Sequence, residues 1–417
     1  MNTNIWILNH YASDMYFDHG GRHYNFAKNL RRAGYAPVVF GANSKHGKAE
    51  RFFETDALWE EHVAEEIDTP FVFVRARTYT GNGKQRVLNM IDFYRNVKKA
   101  AKEYAAQHGR PDVIFASSVH PLVAGIQLAK QFGVKCVCEV RDLWPESIVV
   151  YSDRFTKKNP LIKLLYRGEK WIYKKADALV FTMEGAYDYI VKQGWEKEIP
   201  RSKVHYINNG VDLEQFDYNK EHFRVEDPDL NDPNVFKVIY TGSIRRVNNL
   251  GLLLDASKCV KDPRVKLLVW GDGDEREALE RRVRDENISN VVFKGRVEKK
   301  YVPSIVSRAD LNFAHNSFTY LFNYGISFNK LFDYFAAGQP ILCDFPCRYN
   351  PVVTYGAGTE VRDPQPQEVA AVIDQLSELS DEQRQSMGAN ARRAAEDYDF
   401  KRLTDKLISV IEGVSEK

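Results

Sequence analysis

The sequence predicts an α/β protein built as two doubly wound, Rossmann-like halves. Three observations predict it. Apolar runs of four to six residues alternate with amphipathic helical stretches almost throughout, the pattern of parallel sheets covered on both faces. The length, 417 residues, exceeds what one ordinary core serves. A single polar stretch, FDYNKEHFRVEDPDLNDPN at residues 216–234, interrupts the rhythm near the middle.

In the first half the strand candidates are Ile5–Leu8, Val38–Phe40, Phe71–Val74, Val113–Ala116, Cys136–Val140, Ala178–Phe181 and Val204–Ile207. Helical patterns such as Arg22–Arg32, Arg86–His108 and Pro121–Phe132 lie between them. After the polar stretch the rhythm restarts with strands at Phe236–Tyr240, Lys266–Trp270, Val291–Phe293, Leu311–Ala314 and Ile341–Cys343. The helices between them are Leu250–Cys259, Glu275–Asp285 and Tyr301–Arg308, then one opening near Lys330. The last helix, Lys401–Val414, carries Leu403, Leu407, Ile408 and Ile411 on one face. The expected domains are therefore 1–215, a linker 216–234, 235–395, and a helix 396–417 packing back toward the first domain. Open parallel sheets bind ligands beyond the carboxyl ends of their strands, so two of them are expected to face one another across a ligand cleft.

Composition narrows the classes. A formal charge of +2 argues against a general nucleic-acid binder. Five cysteines, Cys136, Cys138, Cys259, Cys343 and Cys347, form no paired framework and suit a reducing cytoplasm. No run approaches the roughly 20 apolar residues of a membrane span, and Ile5–Leu8 is too short for a signal core. A soluble, cytoplasmic protein is expected.

The loops after the strands carry the candidate chemistry. Gly20-Gly21 stands directly before a helix, where bare amides can approach an anion; a tight turn explains the pair as well. His120 precedes Pro121 at a helix start on the ligand side. Arg141 and Asp142 end a central strand, as site residues or as a local ion pair. Asn209-Gly210 in INNGVD reads as a turn. Gly242, Ser243, Arg245 and Arg246 offer amides, a hydroxyl and guanidinium forks to a phosphate. Gly271 and Gly273 in VWGDGDER lack the third small residue of a dinucleotide fingerprint, since Arg276 stands there. Asp272 and Asp274, like Asp227 and Asp229, have metal-ligand spacing, but Asp274 reads more simply as a helix cap, and no metal is expected.

The stretch GISFNKLFDYFAAGQPIL, residues 325–342, opens a helix beneath Ser327 and Asn329, both good caps. Its free amides carry roughly half a positive charge, and Lys330 adds a full one, a combination that suits a diphosphate. Asp333 follows one turn on, placed to accept hydrogen bonds from the two hydroxyls of a ribose.

Taken in order, INNGVDLEQF, LLVWGDGDEREALE, NVVFKGRV and KLFDYFAAGQPIL resemble the retaining GT-B glycosyltransferases of family four over essentially the whole chain. RDLWPES and NKLF point to a WbuB-type branch that builds bacterial surface polysaccharide. The resemblance implies a retaining, metal-independent transferase of hexosyl or N-acetylhexosaminyl type. It uses no cofactor; a nucleotide sugar is its substrate, UDP-sugar favoured over GDP-sugar. Gly20 and Gly21 would face the donor phosphate, Asp333 the ribose, and Gly295, Arg296 and Val297 the base. The family's first signature Glu falls on Gly325, and the positions that usually hold its Arg and Lys carry Ser243 and Asn248, so Arg245, Arg246 and Lys330 must supply the charge. The acceptor would be a glycan or a prenyl-diphosphate-linked sugar. An epimerase or hydrolase of the same architecture, or a non-catalytic nucleotide-sugar binder, are the alternatives.

The segment Arg154–Lys175 carries eight Lys or Arg and one acid beside Leu161, Leu164, Leu165 and Trp171. Such a basic amphipathic helix suits an anionic membrane surface, although part of its apolar face must pack on the sheet. A peripheral seat on the inner face of the plasma membrane is the corresponding expectation.

Overall fold

The computed structural model describes residues 3–81, 83–152 and 155–416. The chain divides into two compact units, Met1–Asn208 with Phe400–Lys417, and Asn209–Asp399.

The first unit is built on an eight-stranded sheet: β1 (Asn4–Asn9), β2 (Ala36–Ala42), β3 (Trp59–Ala64), β4 (Thr69–Val74), β5 (Val113–Ser117), β6 (Lys135–Val140), β7 (Ala178–Phe181) and β8 (Val204–Tyr206). Their spatial order is β3-β4-β2-β1-β5-β6-β7-β8. Every pairing is parallel except β3 with β4. Helices cover both faces, so the central strands are apolar throughout rather than alternating; Ile5, Trp6, Ile7 and Leu8 of β1 are all fully buried. The carboxyl-terminal helix Phe400–Ser415 belongs here, burying Leu403, Leu407, Val410, Ile411 and Val414, with Phe400 edge-on to Phe26 at 5.7 Å.

The second unit holds β9 (Phe236–Thr241), β10 (Val265–Trp270), β11 (Val291–Gly295), β12 (Leu311–Ala314), β13 (Ile341–Cys343) and β14 (Gly358–Glu360). They lie in the order β11-β10-β9-β12-β13-β14, all parallel. One core packs Val238, Leu267 and Phe313 beneath Leu253 and Ile373; a second gathers Ile239, Leu268 and Ile305.

Two strands escape a hydrophobic reading for one reason. Both β3, sequence WEEHVA, and the three-residue β14 lie at sheet edges and are only half-buried, so no apolar run marks them. The stretch 216–234, expected as a linker, is instead part of the second unit. It contributes the end of the helix Leu213–His222 and the short helix Pro228–Asn231. Asp227 caps the latter through the amides of Asp229 and Leu230 at 3.0 and 3.1 Å, and Leu230 plugs the second core. Phe216, Val225 and Leu230, three apolar residues among polar ones, anchor the stretch.

In each sheet the strand order reverses once, between β1 and β5 and between β9 and β12. Loops leaving the carboxyl ends of neighbouring strands diverge there and leave a crevice. The candidate residues gather at both crevices.

Candidate active site

At the second switch point, Tyr240 near the end of β9 organises the surroundings. Its hydroxyl donates to the Ser243 carbonyl at 3.0 Å, fixing the loop that follows β9. Its ring lies under the Lys330 ammonium, 4.1 Å from the centroid. Lys330 Nζ also donates to the His315 carbonyl at 2.7 Å, just beyond β12. The structure thus brings Lys330 and the Ser243 loop together, joined through one aromatic ring.

His315 is fully buried with Nδ1 against the Asp344 carboxylate and Nε2 3.1 Å from the Asn249 carbonyl. Both ring nitrogens therefore face oxygens, which fixes the ring between the loops after β9, β12 and β13. Burial pulls the Lys330 ammonium down to about 7, against the attraction of Asp344.

The helix Asn329–Ala337 starts with Phe328 at the N-cap position and no side-chain cap. The expectation that Ser327 or Asn329 caps it is therefore corrected. Asn329 Oδ1 instead accepts from the Asn209 side-chain amide, and Asn209-Gly210, expected as a turn, forms none. The uncapped first-turn amides keep the partial positive charge of the helix end. Asp333, half-buried one turn on, makes no hydrogen bond or ion pair among the described residues, and burial pushes its carboxyl up to about 6 while Lys299 pulls the other way.

Ser243 Oγ donates to Asn248 Oδ1 at 3.1 Å. Arg245 and Arg246 are exposed and form no ion pair among the described residues. Gly242 takes φ +148° where a Cβ would meet the Tyr240 hydroxyl at 3.2 Å. Gly271 and Gly273 turn out to serve loop packing: a Cβ would lie 1.8 Å from the Gly242 carbonyl oxygen and 2.1 Å from that of Ile244. Backbone bonds from Ile244 to Asp272 at 2.9 Å and from Glu275 to Ile244 at 3.1 Å clasp the two loops. Asp274 is not the cap expected of it, since Glu275 holds that position without a side-chain bond. Gly295 ends β11, with Arg296 exposed and Val297 packed on the second core. Asp227 and Asp229, with metal-like spacing, are both gripped by Lys294 at 2.7 and 2.6 Å.

At the first switch point the loops after β1 and β5 meet. His10 Nδ1 lies 2.6 Å from His120 Nε2. Burial lowers both, His120 to about 3, so the pair is uncharged at neutral pH. His120 is the second residue of the helix Val119–Phe132, which starts two residues earlier than the expected start at Pro121. Arg141 and Asp142 leave the end of β6 without pairing to each other, so the local ion pair does not form. They join His120, Trp144 and the helix Pro160–Lys175 around a cavity of about 730 Å3. Arg154, the first residue of the basic segment, lies outside the described residues.

Sequence reasoning missed the cluster beneath. Glu139, fully buried on β6, accepts from Arg22 Nε at 2.7 Å, His23 Nε2 at 3.0 Å and Ser117 Oγ at 2.7 Å. Asn9 donates to His23 Nδ1 at 2.9 Å, so the ring proton sits on Nε2 and His23 is neutral. Burial alone would raise the Glu139 carboxyl, but Arg22 and His23 outweigh it and hold it well below the usual range. Arg22 also donates to the Asn208 and Ile207 carbonyls at 2.5 and 2.9 Å. This buried guanidinium ties the end of β6 and the segment after β8 to the Gly20-Gly21 loop, where Gly21 takes φ +98° and the Gly20 amide is spent on the Met15 carbonyl at 3.2 Å.

Family comparisons then decide the class. The model described as Glycosyltransferase Family 4 matches residues 22–215, and that described as Glycosyl transferases group 1 matches residues 224–394. The chain is a family-4-like glycosyltransferase. No curated protein sequence matches it. Its fold is GT-B, shared with solved structures of low identity. Sucrose-phosphate synthase from Thermosynechococcus elongatus superposes with TM-score 0.73 at 16% identity, covering 99% of each chain. Anabaena Alr3699/HepE in complex with UDP-glucose gives 0.63 at 15%, covering 100% of this chain and 99% of that one. Trehalose-6-phosphate from E. coli bound with UDP-2-fluoro glucose gives 0.71 at 12%, covering 98% and 99%. In this glycosyltransferase the residues that organise the two crevices, Glu139 in the first unit and Tyr240, His315 and Asp344 in the second, share one sequence signal. Each is a polar or charged residue at or just past the carboxyl end of a buried parallel strand.

Proposed function

We propose that this glycosyltransferase moves a sugar, with retention, from a nucleoside diphosphate sugar to an acceptor hydroxyl. The observation that carries the reading is the junction of Lys330, Tyr240 and the Ser243 loop at the bare helix end. A departing diphosphate gains charge as the glycosidic bond breaks. A lysine held over an aromatic ring, together with fixed amides, stabilises that charge without reorganising. Arg245 and Arg246, free of ion pairs among the described residues, are the further cations offered to it. Asp333 takes the ribose hydroxyls, and Gly295–Val297 the base. A uracil base is favoured, in keeping with the UDP ligands of the neighbours with this fold. Retention proceeds by front-face substitution, the leaving phosphate accepting the proton of the acceptor hydroxyl.

The reaction belongs to bacterial surface polysaccharide or glycolipid synthesis in the cytoplasm, the sugar transferred being a hexose or N-acetylhexosamine and the acceptor a glycan or a prenyl-diphosphate-linked sugar. No described helix is long and apolar enough to cross a membrane, and a peripheral seat at the inner face suits such an acceptor.

A thermal-shift panel of nucleotide sugars tests the donor, because a ligand bound to the native state raises its stability by mass action. A UDP-sugar is expected to raise the melting temperature most, and product to form only when acceptor is added. Consumption of donor without acceptor would make the protein an epimerase or hydrolase. Tight UDP binding without turnover on any acceptor would make it a binding protein.

A further inference from the structure

The cavity in the first unit is unlike a sugar site. At about 730 Å3 it has the volume of about 24 waters in the liquid. Apolar side chains, Met90, Val123, Trp144, Leu165 and Ile172 among them, line its wall. Its floor includes Glu169, which accepts from the Tyr173 and Tyr189 hydroxyls at 2.7 and 2.9 Å and is raised to about 8 by burial. That floor is satisfied internally and uncharged at neutral pH, leaving little to bind hydroxyls.

Charge collects at one end. Arg86 and Arg141 reach the lining where β5 and β6 finish, beside the uncharged His120 ring, with Asp142 and the Arg22-paired Glu139 the acids there. Arg86 is steadied by the Tyr11 hydroxyl at 3.3 Å. The helix Pro160–Lys175 bounds the cavity elsewhere. Its Leu164 and Trp171 line the cavity yet stay 61% and 39% exposed, so they form a rim. Leu161, 53% exposed, extends the rim by one turn. Lys163 and Arg167 are exposed on the same helix and carry no ion pair among the described residues, whereas Lys170 and Lys174 are occupied by Glu198. An apolar rim flanked by unpaired cations complements an anionic lipid surface.

We propose that this cavity holds the hydrocarbon chain of a lipid-phosphate acceptor, its phosphate against Arg86 and Arg141 and its tail leaving past Leu164 and Trp171. The inference rests on the transferase reading and names the acceptor as a prenyl-type phosphate or diphosphate carrier. The polar head then lies at the strand ends, and the rim marks the part of the surface that meets the bilayer.

Calorimetric titration with farnesyl diphosphate, inorganic diphosphate and UDP tests the cavity apart from turnover. Farnesyl diphosphate is expected to bind at least tenfold more tightly than inorganic diphosphate. Val123→Phe, which fills the cavity, and Leu164→Glu, at an exposed position that folding tolerates, should each weaken farnesyl diphosphate at least tenfold and leave UDP affinity unchanged. Equal affinity for the prenyl and inorganic diphosphates, or an unaltered prenyl affinity in Leu164→Glu, overturns the proposal. Absence of UDP binding to the unaltered protein would instead refute the donor reading while leaving the lipid comparison intact. Vesicle flotation gives the second arm: binding is expected to anionic vesicles and to be lost in Leu164→Glu, and equal flotation of the two proteins would contradict the rim.

Discussion

Lys330 Nζ stands 4.1 Å from the ring centroid of Tyr240, whose hydroxyl holds the Ser243 carbonyl 3.0 Å away. One aromatic side chain thus sets both the cation and the loop that a diphosphate would meet. Tyr240→Phe keeps the ring and removes the loop bond, a loss of about 1 kcal/mol on the scale of one buried hydrogen bond. It should lower UDP affinity several-fold at nearly unchanged Lys330 ionisation. A wild-type affinity for UDP in this variant would show that the loop is not held for the donor.

Donor binding should depend on pH with a maximum between about 6 and 7. Lys330, lowered to about 7, loses its charge as pH rises through that value; Asp333, raised to about 6, loses its charge as pH falls through its own. Lys330→Arg keeps its charge to far higher pH, so it should extend the alkaline limb of UDP affinity, while Asp333→Asn should flatten the acid limb. A flat profile in the wild-type protein would remove both assignments.

Glu139→Gln leaves the Arg22 guanidinium buried without its counter-charge. Breaking one side of a buried pair costs about 3–5 kcal/mol. Urea denaturation should show that loss. The folded pKa of Glu139 lies below the ordinary 4.5, so its stabilising contribution is full above 4.5 and fades as pH falls below it. The gap between wild type and variant should therefore narrow in acid; a gap that widens there would contradict the pairing.

Gly271→Ala forces a methyl against the Gly242 carbonyl oxygen at a backbone φ of +151°, which L side chains rarely adopt. The two loops must part, at a cost of about 3 kcal/mol, and UDP affinity should fall with stability. A variant as stable as wild type would mean the loops are not clasped as described.

The sheets, their parallel sense and most helices were legible because buried parallel strands read as apolar runs. The edge strands β3 and β14 were not, since half-exposed edges carry charged residues such as Glu60 and Glu61 that hide them. Pairs such as Lys330 with Asn329 and Asp333 were visible because one helical turn unites them. Long-range partners were invisible: Asn329 meets Asn209 from 120 residues away, and Arg22 meets Glu139 from 117. Gly271 and Gly273 are also required by the backbone of the neighbouring loop, a constraint that only packing reveals.

The most direct check is calorimetric titration of UDP into wild type and Lys330→Met at pH 6.5, with melting curves confirming that both are folded. Loss of one charge-assisted contact to the diphosphate, on the scale of about 1.5–3 kcal/mol, predicts a Kd weaker by roughly 10- to 100-fold. An unchanged Kd in a folded Lys330→Met protein would contradict the account.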